Sequence, residues 1–79
     1  MTGISFASLD LLGLNCPLPA LRTSKMLRRL ARGDRLTVLC TDPLAVIAIP
    51  HLLHETGDTL EHQEAENGLF IFHIMRCKG

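Results

Sequence analysis

Tryptophan and tyrosine are absent from the 79 residues, and three phenylalanines make up the whole aromatic complement. A chain so poor in rings lacks the platforms on which single-stranded nucleic acids stack. Its formal net charge is zero, so the basic surplus that drives binding to phosphate backbones is missing too. Direct nucleic-acid binding is therefore not expected. No apolar run approaches the ~20 residues of a membrane-spanning helix. The opening, Met1 to Ser8, is too short and too polar for a secretory leader. The three cysteines have no paired spacing, which argues against a disulfide framework and for a reducing cytoplasm. There is no glycine-rich phosphate loop, repeat, linker or low-complexity tract. His51 and His54 are spaced to share a metal, but no cysteine or carboxylate completes a ligand set beside them. His62 and His73 have no identifiable catalytic partner. Neither a metal nor a cofactor is expected.

What is present fits a small folded unit. Hydrophobic content of 47% with 20% charged residues suits a globule. A chain of this length forms one domain, residues 1–79, with two packed layers rather than three. Charge is unevenly placed. Residues 1–40 hold six basic and two acidic side chains, and residues 41–79 hold two basic and six acidic, so the halves carry +4 and −4. Such a split can orient a partner.

The organising stretch is Cys16-Pro17-Leu18-Pro19. A short apolar segment, Leu9 to Leu12 with a start as early as Ser5, reads as a first strand that turns at Gly13. Leu18 to Arg32 reads as a helix, with Ala20, Leu27, Leu30 and Ala31 on one face. Cys16 thus sits at a helix mouth with two prolines in the first turn, where the missing N–H groups cost little. The positive end of the helix favours thiolate over thiol. Pro17 and Pro19 stiffen the turn and leave only the Leu18 and Ala20 amides near the sulfur. A cysteine that merely packs needs no such entry, so Cys16 is the candidate nucleophile. Arg22, Lys25, Arg29 and Arg32 recur at steps of three and four along the same helix. They make a basic stripe, either a solvated surface or a docking face for an acidic partner.

Further along, Gly33-Asp34 ends the helix, and Arg35 to Cys40 alternates as a strand with Cys40 on the core side. Asp42-Pro43 opens a second helix that stops at Gly57 and carries Pro50, which predicts a kink or restart near Ile49. Thr59 to Ala65 reads as an acidic edge strand, Asn67-Gly68 as a hairpin turn, and Leu69 to Arg76 as the last strand. Its Phe70, Phe72 and Ile74 face the core. Cys77 is expected to be an exposed tail thiol. The order β-α-β-α-β-β, with right-handed crossovers, predicts an α/β two-layer sandwich. In it a four-stranded mixed sheet has both helices on one face and an open face with an apolar patch of Leu39, Ile71 and Met75.

Leu9-Asp10, Gly13-Leu14, Cys16-Pro17-Leu18-Pro19, Lys25, Thr41-Asp42-Pro43, Ile49-Pro50, Gly57 and Gly68…Phe70…Phe72…Ile74…Arg76 resemble the TusA/SirA-like sulfur-carrier family. The resemblance spans Leu9 to Arg76 and implies the same two-layer sandwich. It further implies that Cys16 accepts sulfane sulfur as a persulfide and passes it to another protein's cysteine. The donor would be a cysteine desulfurase or a rhodanese-like protein. The acceptor would serve tRNA thiolation, cofactor assembly or sulfur oxidation. Such a chain is a persulfide carrier rather than a self-contained enzyme. Lys25, nine residues past Cys16, is too far along the helix to activate the thiol and is assigned to partner contact. Ala48 and Asp58 depart from the family pattern, which bears on the docking partner. The other reading open to these residues is a non-catalytic interaction module in which Cys16 is structural.

Overall fold

A computed structural model describes residues 6–77. Ser5, the earliest start considered for the first strand, and most of the Met1 to Ser8 opening lie outside the described residues. Strand β1 (Phe6–Leu11) leads to helix α1 (Leu18–Leu27), followed by β2 (Arg35–Cys40) and α2 (Ala45–Thr56). A hairpin of β3 (Thr59–Glu66) and β4 (Leu69–Met75) completes the chain. The sheet order is β1-β2-β4-β3, with β1 and β2 parallel and the other two pairings antiparallel. The predicted mixed four-stranded sheet with two covering helices is what forms.

Alternation places the core. Leu36, Val38 and Cys40 of β2 point to the helical side with Phe72 and Ile74 of β4 and Leu11 of β1. Against them pack Pro19, Thr23 and Leu27 of α1 and Ala45, Ile49 and Leu53 of α2. The i, i+4 spacing of both helical sets gives each helix one buried stripe, apolar except for Thr23. Gly57, at φ 83°, ends α2 as expected, its amide bonded to the Leu53 carbonyl at 2.9 Å. Asn67 (φ 51°) and Gly68 (φ 82°) both adopt positive φ, the conformation a two-residue hairpin turn of the favoured twist requires.

Three expectations are corrected. Helix α1 ends at Leu27 rather than Arg32. Arg29 and Leu30 switch to i→i−3 bonds with Met26 and Leu27. The chain is then drawn to the sheet by paired bonds between Gly33, Asp34 and Arg76, each 2.8 Å. That long-range ladder pulls the connection out of the helix, leaving Ala31 exposed and Arg29 and Arg32 beyond its end. Helix α2 runs through Pro50 without a restart, because the missing N–H deprives only one first-turn carbonyl, that of Val46, of its partner. The open sheet face carries Leu39, Ile71 and Met75, as expected, and ion pairs lie beside them. Arg35 of β2 reaches over β4 to Glu61 of β3 at 2.8 Å, His73 meets Glu64 at 3.0 Å, and Leu39, Ile71 and Met75 lie half-buried among them. Finally, Cys77 is half-buried rather than exposed, its thiol 3.0 Å from the Thr59 hydroxyl.

Candidate functional site around Cys16

Because β1 and β2 are parallel neighbours, their C-terminal ends lie side by side, Leu11 opposite Cys40. The loops that leave those ends must therefore meet, as they do in crossover folds generally. They are joined by two side-chain bonds. The Gly13 amide donates to the Thr41 hydroxyl at 3.0 Å, and the Cys16 amide donates to Asp42 Oδ2 at 2.6 Å. The other oxygen, Asp42 Oδ1, accepts the Leu44 amide at 3.1 Å. One carboxylate, only 6% exposed, thus holds the Leu44 amide in the turn ahead of α2, whose cap position is Leu44 rather than Asp42, and grips the backbone of the cysteine. Buried carboxylates are stable only when their lone pairs are filled in this way. The backbone amide of Asp42 in turn donates to Cys40 Sγ at 3.4 Å. Cys40 is fully buried, as its position on the core side of β2 predicted.

Cys16 itself is exposed. Pro17 occupies the cap position of α1, joined to Cys16 by a cis peptide bond, and Pro19 is the second helical residue, turned into the core. Proline at these positions sacrifices no helical hydrogen bond. The Leu18 amide, expected to be available to the sulfur, is instead bonded to the Asn15 carbonyl at 2.9 Å. Among the described residues no hydrogen bond is made to Cys16 Sγ, so the exposed sulfur sits on a braced backbone and carries no bond of its own.

Arg22, Lys25, Arg29 and Arg32 are all exposed. The structure brings the first three together. Arg22, Lys25 and Arg29 line a groove with Leu9 and Met26 along the β1 edge, and Arg32 lies apart in the turn after α1. Arg28, which the stripe pattern omitted, joins Arg22 and Lys25 in a second groove with Leu18, Leu21 and Ser24. Asp42 was read from sequence only as a helix cap. The signal for its second role was available, since parallel β1 and β2 require the Gly13–Cys16 and Thr41–Asp42 loops to touch.

Asp58 belongs to the opposite end and is not a docking residue. Its side chain is fully buried and accepts from the Thr56 hydroxyl at 2.7 Å, Arg76 Nη1 at 2.9 Å and the Cys77 amide at 2.8 Å. Burial alone would raise its pKa. The hydrogen bonds from Thr56 and Cys77 and the Arg76 charge outweigh that and hold it below the usual carboxylate range.

The family model described as Sulfurtransferase TusA matches residues 7–76. The chain is 41% identical over 68 residues to the sulfur carrier protein TusA of Allochromatium vinosum, covering 86% of this chain and 90% of that one. It is 39% identical over 70 residues to the sulfur carrier protein TusA of Pseudomonas entomophila, covering 89% and 88%. The crystal structure of a SirA-like protein from Desulfitobacterium hafniense superposes with a TM-score of 0.79 at 27% identity, covering 91% of this chain and 99% of that one. With the two-layer α/β sandwich and the Cys-Pro-Leu-Pro helix entry already in place, these likenesses make the chain a member of the TusA family of sulfur carriers.

Proposed function

We propose that Cys16 carries the sulfur, as a persulfide, between a donor protein and an acceptor protein in a reducing cytoplasm. The observation that supports this most directly is the exposed Cys16 thiol on a backbone held at 2.6 Å by a buried carboxylate. In the loading step the Cys16 thiolate attacks the outer sulfur of a donor persulfide. The donor S–S bond breaks, a Cys16 Sγ–S bond forms, and the donor cysteine leaves as thiolate. In delivery an acceptor thiolate attacks the outer sulfur of Cys16-S-SH and Cys16 leaves as thiolate. Sulfur moves at one oxidation level, so neither step needs an oxidant or reductant, and rate follows thiolate fraction and access. Pro17 and Pro19 keep the turn stiff, so that the sulfur enters a partner's pocket in one geometry. Arg22, Lys25, Arg29 and Arg32 offer contacts to that partner. The donor would be a cysteine desulfurase or a rhodanese-like protein, and the acceptor would feed tRNA thiolation, cofactor assembly or sulfur oxidation.

Intact mass spectrometry after incubation with a cysteine desulfurase and cysteine, or with a rhodanese and thiosulfate, tests the proposal. The expected result is the gain of one sulfur, removed by reductant and absent in Cys16→Ser. A folded wild type that gains no sulfur from any donor would turn the reading toward a non-catalytic interaction module.

A further inference from the structure

The open face of the sheet holds a group of side chains that the sulfur site does not use. On β4 the residues facing away from the helices are Ile71, His73 and Met75, since Phe72 and Ile74 are in the core. On β3 the pairing with β4 is irregular between Leu60 and His62. Leu60 lies opposite Ile74 and His62 opposite His73, so Glu61 is the extra residue of a β-bulge. Without the bulge, strict alternation would turn His62 toward the helices, on the side of Leu60. With it, His62 shares the open face with His73, and Glu64 follows on the same side opposite Ile71. Bulges re-aim side chains in this way beside functional sites.

The three groups are adjacent. Glu64 Oε2 is 3.0 Å from His73 Nε2 and 3.6 Å from His62 Nε2. The two rings are cross-strand neighbours, with centroids 5.6 Å apart and planes tilted by 33°. Ligands about 2.0–2.1 Å from a tetrahedral zinc ion lie about 3.3 Å from one another. The observed 3.0 and 3.6 Å bracket that edge. Glu61, the other carboxylate beside them, is engaged by Arg35 at 2.8 Å, so Glu64 is left to the imidazoles. Among the described residues no three His, Cys, Asp or Glu side chains are arranged to hold an ion as they stand. The ligands therefore close when the ion arrives, which exposed side chains at 64%, 51% and 37% accessibility for His62, Glu64 and His73 can do by rotation.

We propose that His62, His73 and Glu64 bind a zinc-type divalent ion across the β3–β4 hairpin, at a second site apart from Cys16. Two imidazoles and a carboxylate, with water in the fourth position, suit zinc. A hard ion such as Mg²⁺ prefers oxygen alone, and Cu(I) prefers thiolate. The ion replaces the hydrogen bonds to Glu64 Oε2 and clamps the acidic edge strand to its neighbour. The two histidines are distant in sequence, and only the bulged register makes them ligands of one ion. This site stands on the sheet face opposite the helices, whereas Cys16 leads into α1, so the proposal is independent of the carrier reading.

Zinc titration by isothermal calorimetry tests it, with Cys16→Ser/Cys77→Ser protein as the parent so that no accessible thiol competes. Uptake of a single Zn²⁺ is expected, with a rise in melting temperature and no such response to Mg²⁺. His62→Gln, His73→Gln and Glu64→Gln should each weaken binding at least about tenfold, since losing a group that merely supports a ligand already costs that much. His51→Gln/His54→Gln, on α2, should bind as the parent does. Melting curves without the ion check that each variant is folded. The proposal is overturned if the folded parent takes up no Zn²⁺ or takes up Mg²⁺ as well. It is equally overturned if any one of the three substitutions leaves the affinity unchanged, or if binding is lost with His51 and His54.

Discussion

Asp42 is the residue on which the site depends after the cysteine. Its two oxygens serve two amides that otherwise have no acceptor, Cys16 at 2.6 Å and Leu44 at 3.1 Å. In Asp42→Ala both amides lose their partner, at a cost of about 1–3 kcal/mol in folding stability. Urea denaturation would measure that loss, and loading from glutathione persulfide should slow as well because the Cys16 backbone is no longer held. Asp42→Asn retains one acceptor oxygen and should fall between the two. The remaining thiols should not matter for loading. Cys40 is fully buried, and Cys77 follows Met75, which pairs with Arg35 at the far end of β2 from Cys40. Cys77→Ser should therefore take up sulfur at the wild-type rate, and a mass adduct that depended on Cys77 would contradict this placement. At this scale Cys16 was legible because the prolines that follow it have a local meaning. The grip of Asp42 on Cys16 was harder to read, since it joins residues 26 positions apart.

Among the elements, those with a strong local pattern formed as the residues foretold. Strand β2 alternates from Arg35 to Cys40, α2 stops at a glycine that can adopt positive φ, and Asn67-Gly68 makes the hairpin. Helix α1 shows where such patterns fail. Arg28 to Arg32 continue the helical composition, yet the bonds between Gly33, Asp34 and Arg76 take the chain into the sheet instead. Tertiary hydrogen bonding there overrides a weak local preference. The hairpin offers a test in the opposite direction. A Cβ on Gly68 would meet nothing within 4 Å, but φ is +82°. Gly68→Ala should cost about 1 kcal/mol through backbone strain alone, seen as a lower melting temperature with unchanged loading.

For the whole molecule, Asp58 is the buried carboxylate that contributes to the response to acid. Its pKa is depressed in the folded protein, so its contribution is complete above the unfolded carboxylate value of about 3.9 and is lost as pH falls through the lower folded value. Asp58→Asn strips Arg76 of its counter-charge, and the buried guanidinium makes the loss about 2 kcal/mol or more near neutral pH. The variant should also show a shallower fall in stability with pH below about 4. Urea midpoints taken at pH 7 and pH 3 would show both effects. Sequence likeness had drawn attention to Asp58 as a change bearing on the docking partner, because burial and partners are properties of the folded chain alone. The +4 and −4 halves, by contrast, were legible and become a spatial fact, with basic α1 flanking the β1 edge and acidic β3 at the other edge of the sheet.

The register of the sheet also decides how this domain can be attached to anything else. Phe6 lies opposite Arg35, Arg35 opposite Met75, and Cys16 follows the other end of β1. Both routes out of the described fold therefore leave from the pole remote from the thiol. An affinity tag, a surface tether or a second domain joined at either side would trail behind the fold, leaving the sulfur pole clear to meet its partners. The same domain could serve as a freely diffusing courier or as a tip on a longer chain without any change to the residues around Cys16.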